Sequence, residues 1–359
     1  PCRMAHVYSL GLMLGHERSG ELVDAALKGL RGELHDDKNG GWYAGVTQEG
    51  GIVPNKQCYA HAFVILAASS ALTAGRSGAK ELLEEALAVY DRHFWNEEEG
   101  LACDTWNTEF TVLDDDRGLN ANMHTVEAFL AAGDVTGDKK YHIRAGRIID
   151  HVIRWAEDNS WRIPEHFTKE WVADLDCNRD RPDDPFKPYG ATPGHGIEWA
   201  RLIVQWAYSS YKDTPDSAEV YLKAAEKLYN RAVEDSWNVD GNPGIVYTTD
   251  WDGKPVVHDR MHWTLAEAIN TSAVLWHITH KQKYAKDYEE FMRYLDDKVL
   301  DHKNGSWFHQ LDENNNVIGT VWPGKSDVYH AFQSTWIPYG TPYISIASDV
   351  KQYMEVCHQ

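Results

Sequence analysis

Five similar loops recur along this chain, and their spacing constrains the fold more than any other feature. Their aligned positions, each a glycine or a serine, are separated by 59, 60, 84 and 62 residues. A period of this size is typical of stacked supersecondary units, each of which buries its apolar face against a neighbour. The loops are DDKNGGWYAG (36–45), WNEEEGLACD (95–104), AEDNSWRIPE (156–165), NVDGNPGIVY (238–247) and DHKNGSWFHQ (301–310), aligned at Gly41, Gly100, Ser160, Gly244 and Ser306.

Helical periodicity fills the intervals between these loops. Strand-like alternation is confined to short pieces such as GIVY (244–247) and SWFHQL (306–311). We predict eleven helices, at 3–15, 20–34, 57–74, 79–94, 120–132, 139–157, 195–211, 216–235, 261–279, 282–299 and 327–335.

One loop after every second helix indicates a repeat of helix hairpins. The chain begins at Pro1 inside a predicted helix, so we expect its first helix to be missing. Six hairpins closed in a ring make an all-α fold, the (α/α)6 barrel or toroid, with short β-hairpin loops and alternate helices on the inner wall. We therefore expect residues 1–359 to form a single (α/α)6-barrel domain, truncated at its N-terminus. An open solenoid is the competing arrangement.

Composition excludes several classes of partner. The formal net charge is −20, from 35 basic and 55 acidic side chains, which disfavours nucleic acid and anionic membranes. No apolar run approaches the roughly 18 residues of a membrane span. Five scattered cysteines without a CxxC pair favour reduced thiols over a disulfide framework or a zinc site. With no signal peptide visible, we expect a cytoplasmic protein.

Polar residues gather in the first turns of alternate predicted helices. In a ring, the N-terminal ends of the inner helices open to the same side, so these side chains would converge on one central pit. A single buried histidine is more often a core residue, but six helices contributing polar groups at the same end indicate a site. The residues are Arg3 and His6; Gln57, Tyr59 and His61; Asn120 and His124; His195 and Glu198; Trp263 and Glu267; Asp327 and His330.

The run GATPGHGIEW (190–199) carries the most suggestive pair. Pro193 suits a first helical turn, where its missing N–H would be unpaired anyway. His195 and Glu198, like Asp327 and His330, are three residues apart and share a helix face. A carboxylate beside an imidazole can fix its tautomer for proton transfer near neutral pH. Structural ion pairs and a metal site of the HxxE type are the alternatives.

Recognisable cofactor and metal motifs are missing from the sequence. It contains no GxGxxG after a strand, no Walker loop, no GxSxG elbow, no HExxH and no tract of cysteine and histidine. We therefore expect acid/base chemistry without a cofactor or a metal. Fifteen tryptophans and eighteen tyrosines add a weak indication of sugar binding, because aromatic faces pack against the C–H groups of sugar rings.

At these residues the chain resembles the N-acylglucosamine 2-epimerase superfamily, and within it the group of aldose–ketose isomerases that act on D-mannose and on sulfoquinovose. The resemblance spans nearly the whole chain in the family's order. It is carried by CRMAHVYS (2–9), NANMHTVEA (120–128), PFKPYGATPGHGIEWARL (185–202), WTLAEA (263–268) and KSDVYHAFQ (325–333).

The resemblance implies an (α/α)6 barrel that isomerises a free monosaccharide through a cis-enediol(ate), without a cofactor. His330 would move the proton between C2 and C1, and His195 would open the ring or protonate the substrate. Glu198 and Glu267 would orient the imidazoles or bind hydroxyls, and Arg3 and His124 would polarise the enediolate oxygens. The implied sugar-binding residues are Tyr59, Asn120, Trp263, Trp322, Gln310 and Lys187.

Several functions stay open on the sequence. The first is interconversion of D-mannose and D-fructose. Its relatives are sulfoquinovose isomerisation, for which Lys187, Gln310 and His309 could form an anion pocket, and 2-epimerisation of N-acetylglucosamine or cellobiose. An (α/α)6 glycoside hydrolase or lyase would need two opposed carboxylates, which Glu198, Glu267 and Asp327 could supply. A sugar-binding module would not explain the paired acid/base residues. The sequence does not decide between a monomer and a homo-oligomer.

Overall fold

The computed structural model describes residues 1–47, 49–326 and 328–357. Its contacts divide the chain into two compact units. The first unit comprises Pro1–Asp150, Phe167–Val172 and Ile344–Gln359, and the second comprises His151–His166 and Ala173–Tyr343. The expectation of one domain stays a prediction, and each unit is described by itself below.

Helices account for most of the described residues. A single π-helical turn, Leu295–Val299, follows the tenth α-helix. The α-helices are α1 Cys2–Met13, α2 Ser19–Arg31, α3 Cys58–Thr73, α4 Ala79–His93, α5 Leu119–Thr136, α6 Lys139–Asp158, α7 Pro193–Ser210, α8 Pro215–Ser236, α9 His262–Thr279, α10 Gln282–Tyr294, α11 Val328–Trp336 and α12 Ile346–Cys357.

The strands are two or three residues long and lie in the loops between helices. Those of the second unit include a three-stranded antiparallel sheet, β11–β12–β13, in which Met261 pairs with Gln310. The strands are β1 Gly45–Val46, β2 Ile52–Val53, β3 Lys56–Gln57, β4 Trp95–Asn96, β5 Leu101–Ala102, β6 Thr105–Trp106, β7 Arg117–Gly118, β8 His166–Phe167, β9 Thr248–Thr249, β10 Pro255–Val257, β11 Arg260–Met261, β12 Gln310–Leu311 and β13 Val317–Ile318.

In each unit the odd-numbered helices pack side by side and carry the core. In the first unit α3 lies between α1 and α5, and α12 packs against all three. In the second unit α9 lies between α7 and α11. The helices α3, α5, α7 and α9 are buried along most of their length, whereas α2, α4, α8 and α10 each pack one face against the odd helix that precedes them. This alternation agrees with the predicted repeat of hairpins.

The loop repeat is also conformational. All five aligned positions have a positive φ, from 56° at Ser160 to 115° at Gly244. Residues other than glycine rarely adopt this backbone region. The first and last loops share a turn in which an aspartate accepts two backbone N–H groups and one asparagine amide. The same aspartates, Asp36 and Asp301, pair with Lys56 and Lys325.

Each predicted helix corresponds to a helix of the structure, although position 327 lies outside the described residues. The structure adds α12, which the periodicity did not indicate, and shortens the helix predicted at 282–299 by ending it in the π-turn. The predicted strand at 244–247 is wrong: Ile245 makes an isolated bridge to Trp237 instead. The piece at 306–311 is a strand only at Gln310–Leu311.

Two glycines determine how the chain enters α7. Gly190 has a φ of +90°, and a Cβ at this position would lie 2.0 Å from the carbonyl oxygen of Thr249. Its neighbour Ala191 forms an antiparallel bridge with Thr249, so the two backbones must approach closely. Gly194, in the first turn of α7, lies against Trp263, where a Cβ would come within 2.8 Å of the indole.

We predict that Gly190→Ala destabilises the protein by about 2–5 kcal/mol, because the positive φ and the collision with backbone both oppose a side chain. Gly137→Ala is the matched control: its φ is +72°, but a Cβ there meets nothing within 4 Å. The control should therefore cost only about 1–2 kcal/mol. Urea unfolding measures both values, and equal costs would contradict the close approach at Gly190.

Candidate active site

Two imidazoles of the second unit lie beside the same indole ring. The ring centroid of His195, on α7, is 5.0 Å from that of Trp263, on α9. The centroid of His330, on α11, is 5.9 Å from that of Trp263. Both imidazoles are tilted by similar angles to the indole, 34° and 36°. Three odd helices thus bring two proton-transfer groups and an aromatic ring together.

His330 is oriented by a fully buried carboxylate. Its Nδ1 lies 3.1 Å from Oε1 of Glu267, whose side chain has no solvent exposure. Burial alone would raise the pKa of Glu267, but the charge of Arg201 and the hydrogen bond with His330 outweigh it and hold that pKa at about 2. Glu267 is therefore ionised and accepts a hydrogen bond, and Nδ1 of His330 carries the proton of that bond. This leaves Nε2 of His330 for a substrate.

A buried guanidinium connects the two glutamates of this site. Nε of Arg201 donates to Oε2 of Glu267 at 2.9 Å, and Nη2 of Arg201 lies 3.6 Å from Oε1 of Glu198. The side chains of Arg201 and Glu198 are 4% and 1% exposed. Buried carboxylates need such a partner, because removing an unpaired charge from water costs several kcal/mol.

The second imidazole has a carboxylate of its own. Nδ1 of His195 lies 3.0 Å from Oε1 of Glu165, which comes from the loop after α6 and is 7% exposed. The expectation that His195 pairs with Glu198 is therefore wrong, because Glu198 faces Arg201 instead. In both imidazoles Nδ1 lies beside a carboxylate, so both rings are oriented by the same kind of contact.

A row of aromatic rings extends from His330 across β11 and β12. The ring of His262 lies 6.1 Å from His330 and 4.7 Å from His309, and His309 stacks on Trp322 at 5.8 Å. Phe186, which is largely exposed, meets Trp322 edge-on. The row places Trp322 at the end of a path of rings that begins at the candidate base.

Gln310, on β12, is fully buried. Its amide donates to Asp259 at 2.6 Å and to Thr320 at 2.9 Å. Its carbonyl accepts the backbone N–H groups of Val321 and Trp322. Both amide hydrogens are thus committed to the protein, so Gln310 positions the segment that carries Trp322.

The remaining predicted residues of the second unit are less informative. Lys187 is exposed on the loop before α7, and its backbone carbonyl accepts from Asn178. Asp327, which the sequence paired with His330, lies outside the described residues. Among the residues that the structure does describe, no group of three or more His, Cys, Asp and Glu side chains is arranged to hold a metal ion.

Three predicted residues of the first unit lie on one cluster of side chains. Nη2 of Arg3 donates to the hydroxyl of Tyr59 at 2.5 Å, and its guanidinium lies 4.7 Å from the ring centroid of Phe63. His124 packs against both aromatic rings, and its Nδ1 lies 3.1 Å from Oε2 of Glu127. Tyr59 therefore contacts both Arg3 and His124, and the sequence selected all three residues.

Two other histidines of the first unit are buried. His61 donates from Nδ1 to the carbonyl of Gln57 and accepts the backbone N–H of Trp42 at Nε2. Burial lowers the pKa of His61 to about 3 and that of His6 to about 4, so both rings are neutral. Asn120, at the start of α5, is exposed.

Sequence reasoning missed Glu165 and Arg201. Glu165 ends one of the five repeated loops, where nothing local distinguishes it from a surface residue. Arg201 gave a clearer signal, because it is a charged residue in the apolar stretch of α7 and lies three residues after Glu198. A buried helix rarely carries a charge without a partner, so this pair could have been selected.

Comparison with known proteins identifies the family. Residues 1–334 match the family model of N-acylglucosamine 2-epimerase (GlcNAc 2-epimerase). A D-mannose isomerase of Thermobifida fusca is 42% identical over 340 residues, which cover 94% of this chain and 83% of that protein. A D-mannose isomerase of Pseudomonas cannabina pv. alisalensis is 41% identical over 337 residues, covering 94% and 81%.

A solved structure has the same fold. The crystal structure of a D-mannose isomerase superposes with a TM-score of 0.87 at 28% sequence identity, covering 94% of this chain and 85% of that chain. Together with the helix content, this similarity confirms the predicted all-α fold of the (α/α)6 class. Within the described residues, no helix combines the length and apolar character needed to cross a bilayer.

We predict that Glu165→Leu lowers the free energy of unfolding by about 1–3 kcal/mol, because it leaves Nδ1 of His195 without its hydrogen-bond acceptor. Urea unfolding measures the change. Glu157→Leu, at an exposed position of α6, is the control and should change the free energy of unfolding by less than about 0.5 kcal/mol. Equal values for the two variants would contradict the role of Glu165.

Proposed function

This chain belongs to the N-acylglucosamine 2-epimerase family, and on that premise we propose that it is an aldose–ketose isomerase that interconverts D-mannose and D-fructose without a cofactor. The observation that carries the proposal is the pair of carboxylate-oriented imidazoles beside Trp263. The D-mannose isomerases of similar sequence support the choice of reaction.

The reaction needs a base that can take a proton from carbon and return it to the neighbouring carbon. Nε2 of His330 removes the proton from C2 of the open-chain aldose, and the C–H electron pair forms the C1=C2 bond while the carbonyl electrons move to O1. The resulting cis-enediolate loses the proton on O2 and gains one on O1. His330 then returns its proton to C1, which gives the ketose with all atoms and charges balanced.

His195 serves the oxygen side of this reaction. Its Nδ1–H is held by Glu165, so Nε2 can take the proton from the anomeric hydroxyl and pass it to the ring oxygen as the pyranose opens, and later move a proton from O2 to O1. General acid/base assistance of this kind is typically worth ~10²–10⁴ in rate. Trp263 offers its indole face to the C–H groups of the sugar between the two imidazoles.

The family resemblance assigns further roles that we keep as part of the proposal. Arg3 and His124 would polarise the enediolate oxygens, and Tyr59, Asn120 and Trp322 would contact sugar hydroxyls or ring faces. The contact of Arg3 with Tyr59 and of His124 with Glu127 supports the first two, because both side chains are held by neighbours rather than by solvent.

A glycoside hydrolase of the same fold class is disfavoured by the state of the carboxylates. Hydrolysis needs one carboxylic acid that donates a proton and a second carboxylate that attacks or activates water. Glu198 and Glu267 are 1% and 0% exposed, and both lie on Arg201. They orient other groups and are not presented to a glycosidic bond.

Sequence similarity narrows the choice of sugar substrate, and one contact in this site bears on the alternative, sulfoquinovose. Sulfoquinovose carries a sulfonate, and the amide of Gln310, one candidate for binding it, is committed to Asp259 and Thr320. This observation favours a neutral hexose. We also propose a cytoplasmic location, since all five cysteines are free thiols.

The reaction is tested by proton NMR of the purified protein with D-mannose in heavy water. We expect D-fructose carrying deuterium at C1, because the proton taken by His330 exchanges with solvent before it returns. D-glucose, D-lyxose, N-acetylmannosamine, cellobiose and sulfoquinovose complete the panel, with an aryl glycoside as the hydrolase substrate. Epimer without ketose, or cleavage of the aryl glycoside, would contradict the proposal.

We predict that His195→Asn and His330→Asn each lower kcat for D-mannose by ~10²–10⁴, with little change in the thermal midpoint. Asparagine keeps the approximate size of the inner ring but transfers no proton. His61→Asn is the control, because His61 binds only backbone groups and its loss should change stability more than kcat per folded molecule. Full activity in either of the first two variants would remove that histidine from the mechanism.

A further inference from the structure

A tyrosine of the second unit packs against the indole of the candidate active site. Tyr247 is the last residue of the GIVY segment (244–247). Its ring meets that of Trp263 edge-on, with 6.2 Å between the ring centroids and 88° between the ring planes. Its backbone N–H donates to the carbonyl of Val257, on β10, at 2.9 Å. Tyr247 is therefore held in place beside the same indole that His195 and His330 contact.

The phenol hydroxyl of Tyr247 is available to a ligand. Its side chain is partly buried, and none of the residues that the structure describes forms a hydrogen bond with the hydroxyl. A tyrosine hydroxyl that is withdrawn from water usually has a hydrogen-bond partner. Burial, together with the negative charge of Glu165, raises the pKa of Tyr247, so the hydroxyl keeps its proton and can both donate and accept.

Tyr247 also lines a cavity of about 260 Å³ in the second unit. Sites for drug-sized ligands measure roughly 300–1,000 Å³, so this cavity has the size for part of a small molecule. Valine and proline side chains supply its apolar walls, and none of the described lining residues is a lysine, arginine or histidine. The other oxygen-bearing side chains of the lining are Asp183, Asp184, Asp259 and Thr320.

Two of these carboxylates already accept hydrogen bonds from the protein. Asp184 accepts the backbone N–H groups of Phe186 and Lys187, and Asp259 accepts the amide of Gln310 at 2.6 Å. The hydroxyl of Tyr247 is not committed in this way. A lining of carboxylates and a phenol, without a cation, suits the hydroxyl groups of an uncharged ligand and repels an anionic one.

The cavity borders the position that the reaction assigns to the sugar. Proton transfer places C1 and C2 at the imidazoles of His195 and His330, beside Trp263. The remaining carbons of a hexose must extend away from these imidazoles. Tyr247 contacts Trp263 and lines the cavity, so it offers that end of the sugar a hydroxyl group and an adjoining space.

We propose that Tyr247 is a specificity-determining residue of the isomerase: the cavity that it lines receives the end of the sugar remote from C1 and C2, and its phenol hydroxyl forms a hydrogen bond with O4 or O6. This inference rests on the proposed function, because that function places C1 and C2. It adds the recognition of a neutral, hydroxyl-bearing distal end to the proton transfer at the imidazoles.

The test combines one variant with sugars that lack one hydroxyl. Tyr247→Phe keeps the ring and its contact with Trp263 but removes the phenol hydroxyl. We expect it to lower kcat/KM for D-mannose by about three- to tenfold. For either 4-deoxy-D-mannose or 6-deoxy-D-mannose, the same variant should leave kcat/KM unchanged, since that sugar has no hydroxyl for Tyr247 to bind. A merely structural role of the hydroxyl would lower kcat/KM for all three sugars by the same factor.

Tyr208→Phe is the matched control. Tyr208 is also partly buried and lies near the C-terminal end of α7, about 20 Å along the helix axis from His195. Removing its hydroxyl should leave kcat/KM unchanged for every sugar of the series.

A second pair of variants tests the cavity independently of the hydroxyl. Val257→Phe adds bulk to the lining, whereas Val256→Phe changes the preceding residue of β10, which does not line the cavity. We expect Val257→Phe to lower kcat/KM for D-mannose about tenfold more than for D-lyxose, which lacks C6. Val256→Phe should change the two sugars equally. An equal effect of Val257→Phe on both sugars would place the C6 end outside the cavity.

Calorimetry separates this inference from the assigned reaction. The probe is 1,5-anhydro-D-mannitol, a pyranose without an anomeric hydroxyl that cannot open, together with its 4-deoxy and 6-deoxy derivatives. If Tyr247→Phe weakens binding of the parent but not of one deoxy derivative, the contact stands even in a protein that does not isomerise D-mannose. An active isomerase in which Tyr247→Phe affects all the sugars and all the probes alike would overturn the role of Tyr247.

Discussion

The buried carboxylate of Glu267 is the interaction on which the site of the second unit depends. It receives Arg201 from α7 and His330 from α11 while belonging to α9, so one side chain ties together three neighbouring helices. A carboxylate with no solvent exposure is tolerable only when its lone pairs are filled by charged or strongly polar donors. The odd helices can therefore pack in this way only when Arg201 and His330 both contact the ionised carboxylate of Glu267.

The packing of these helices also fixes the positions of the side chains in the site. The indole of Trp263 packs against both His195 and His330, and Gly194 allows α7 to approach that indole closely. A larger residue at position 194 would move His195 relative to the indole of Trp263. Preorganisation of this kind supplies the positioning that acid/base chemistry needs, since the groups do not have to rearrange during the reaction.

The fold and the site were predictable to different depths. The loop repeat predicted the alternation of loops and helix hairpins, and the structure adds that all five aligned positions have a positive φ. Both follow from local turn chemistry. The first-turn pattern selected His195, Trp263, Glu267 and His330. It assigned the wrong partner to His195, because residues three apart on a helix are neighbours in position without having to point at each other. The short α12 was not among the predicted helices.

What the sequence by itself determined is the sequence of helices, the repeated turns and the kinds of side chain at each helix start, since all of these follow from local periodicity and backbone preference. What only the tertiary structure decided is which charge meets which. The pairs Glu165–His195, Arg201–Glu267 and Glu267–His330 join residues 30, 66 and 63 positions apart. Their formation depends on how the chain packs around these residues, and the low dielectric of that packing strengthens each pair.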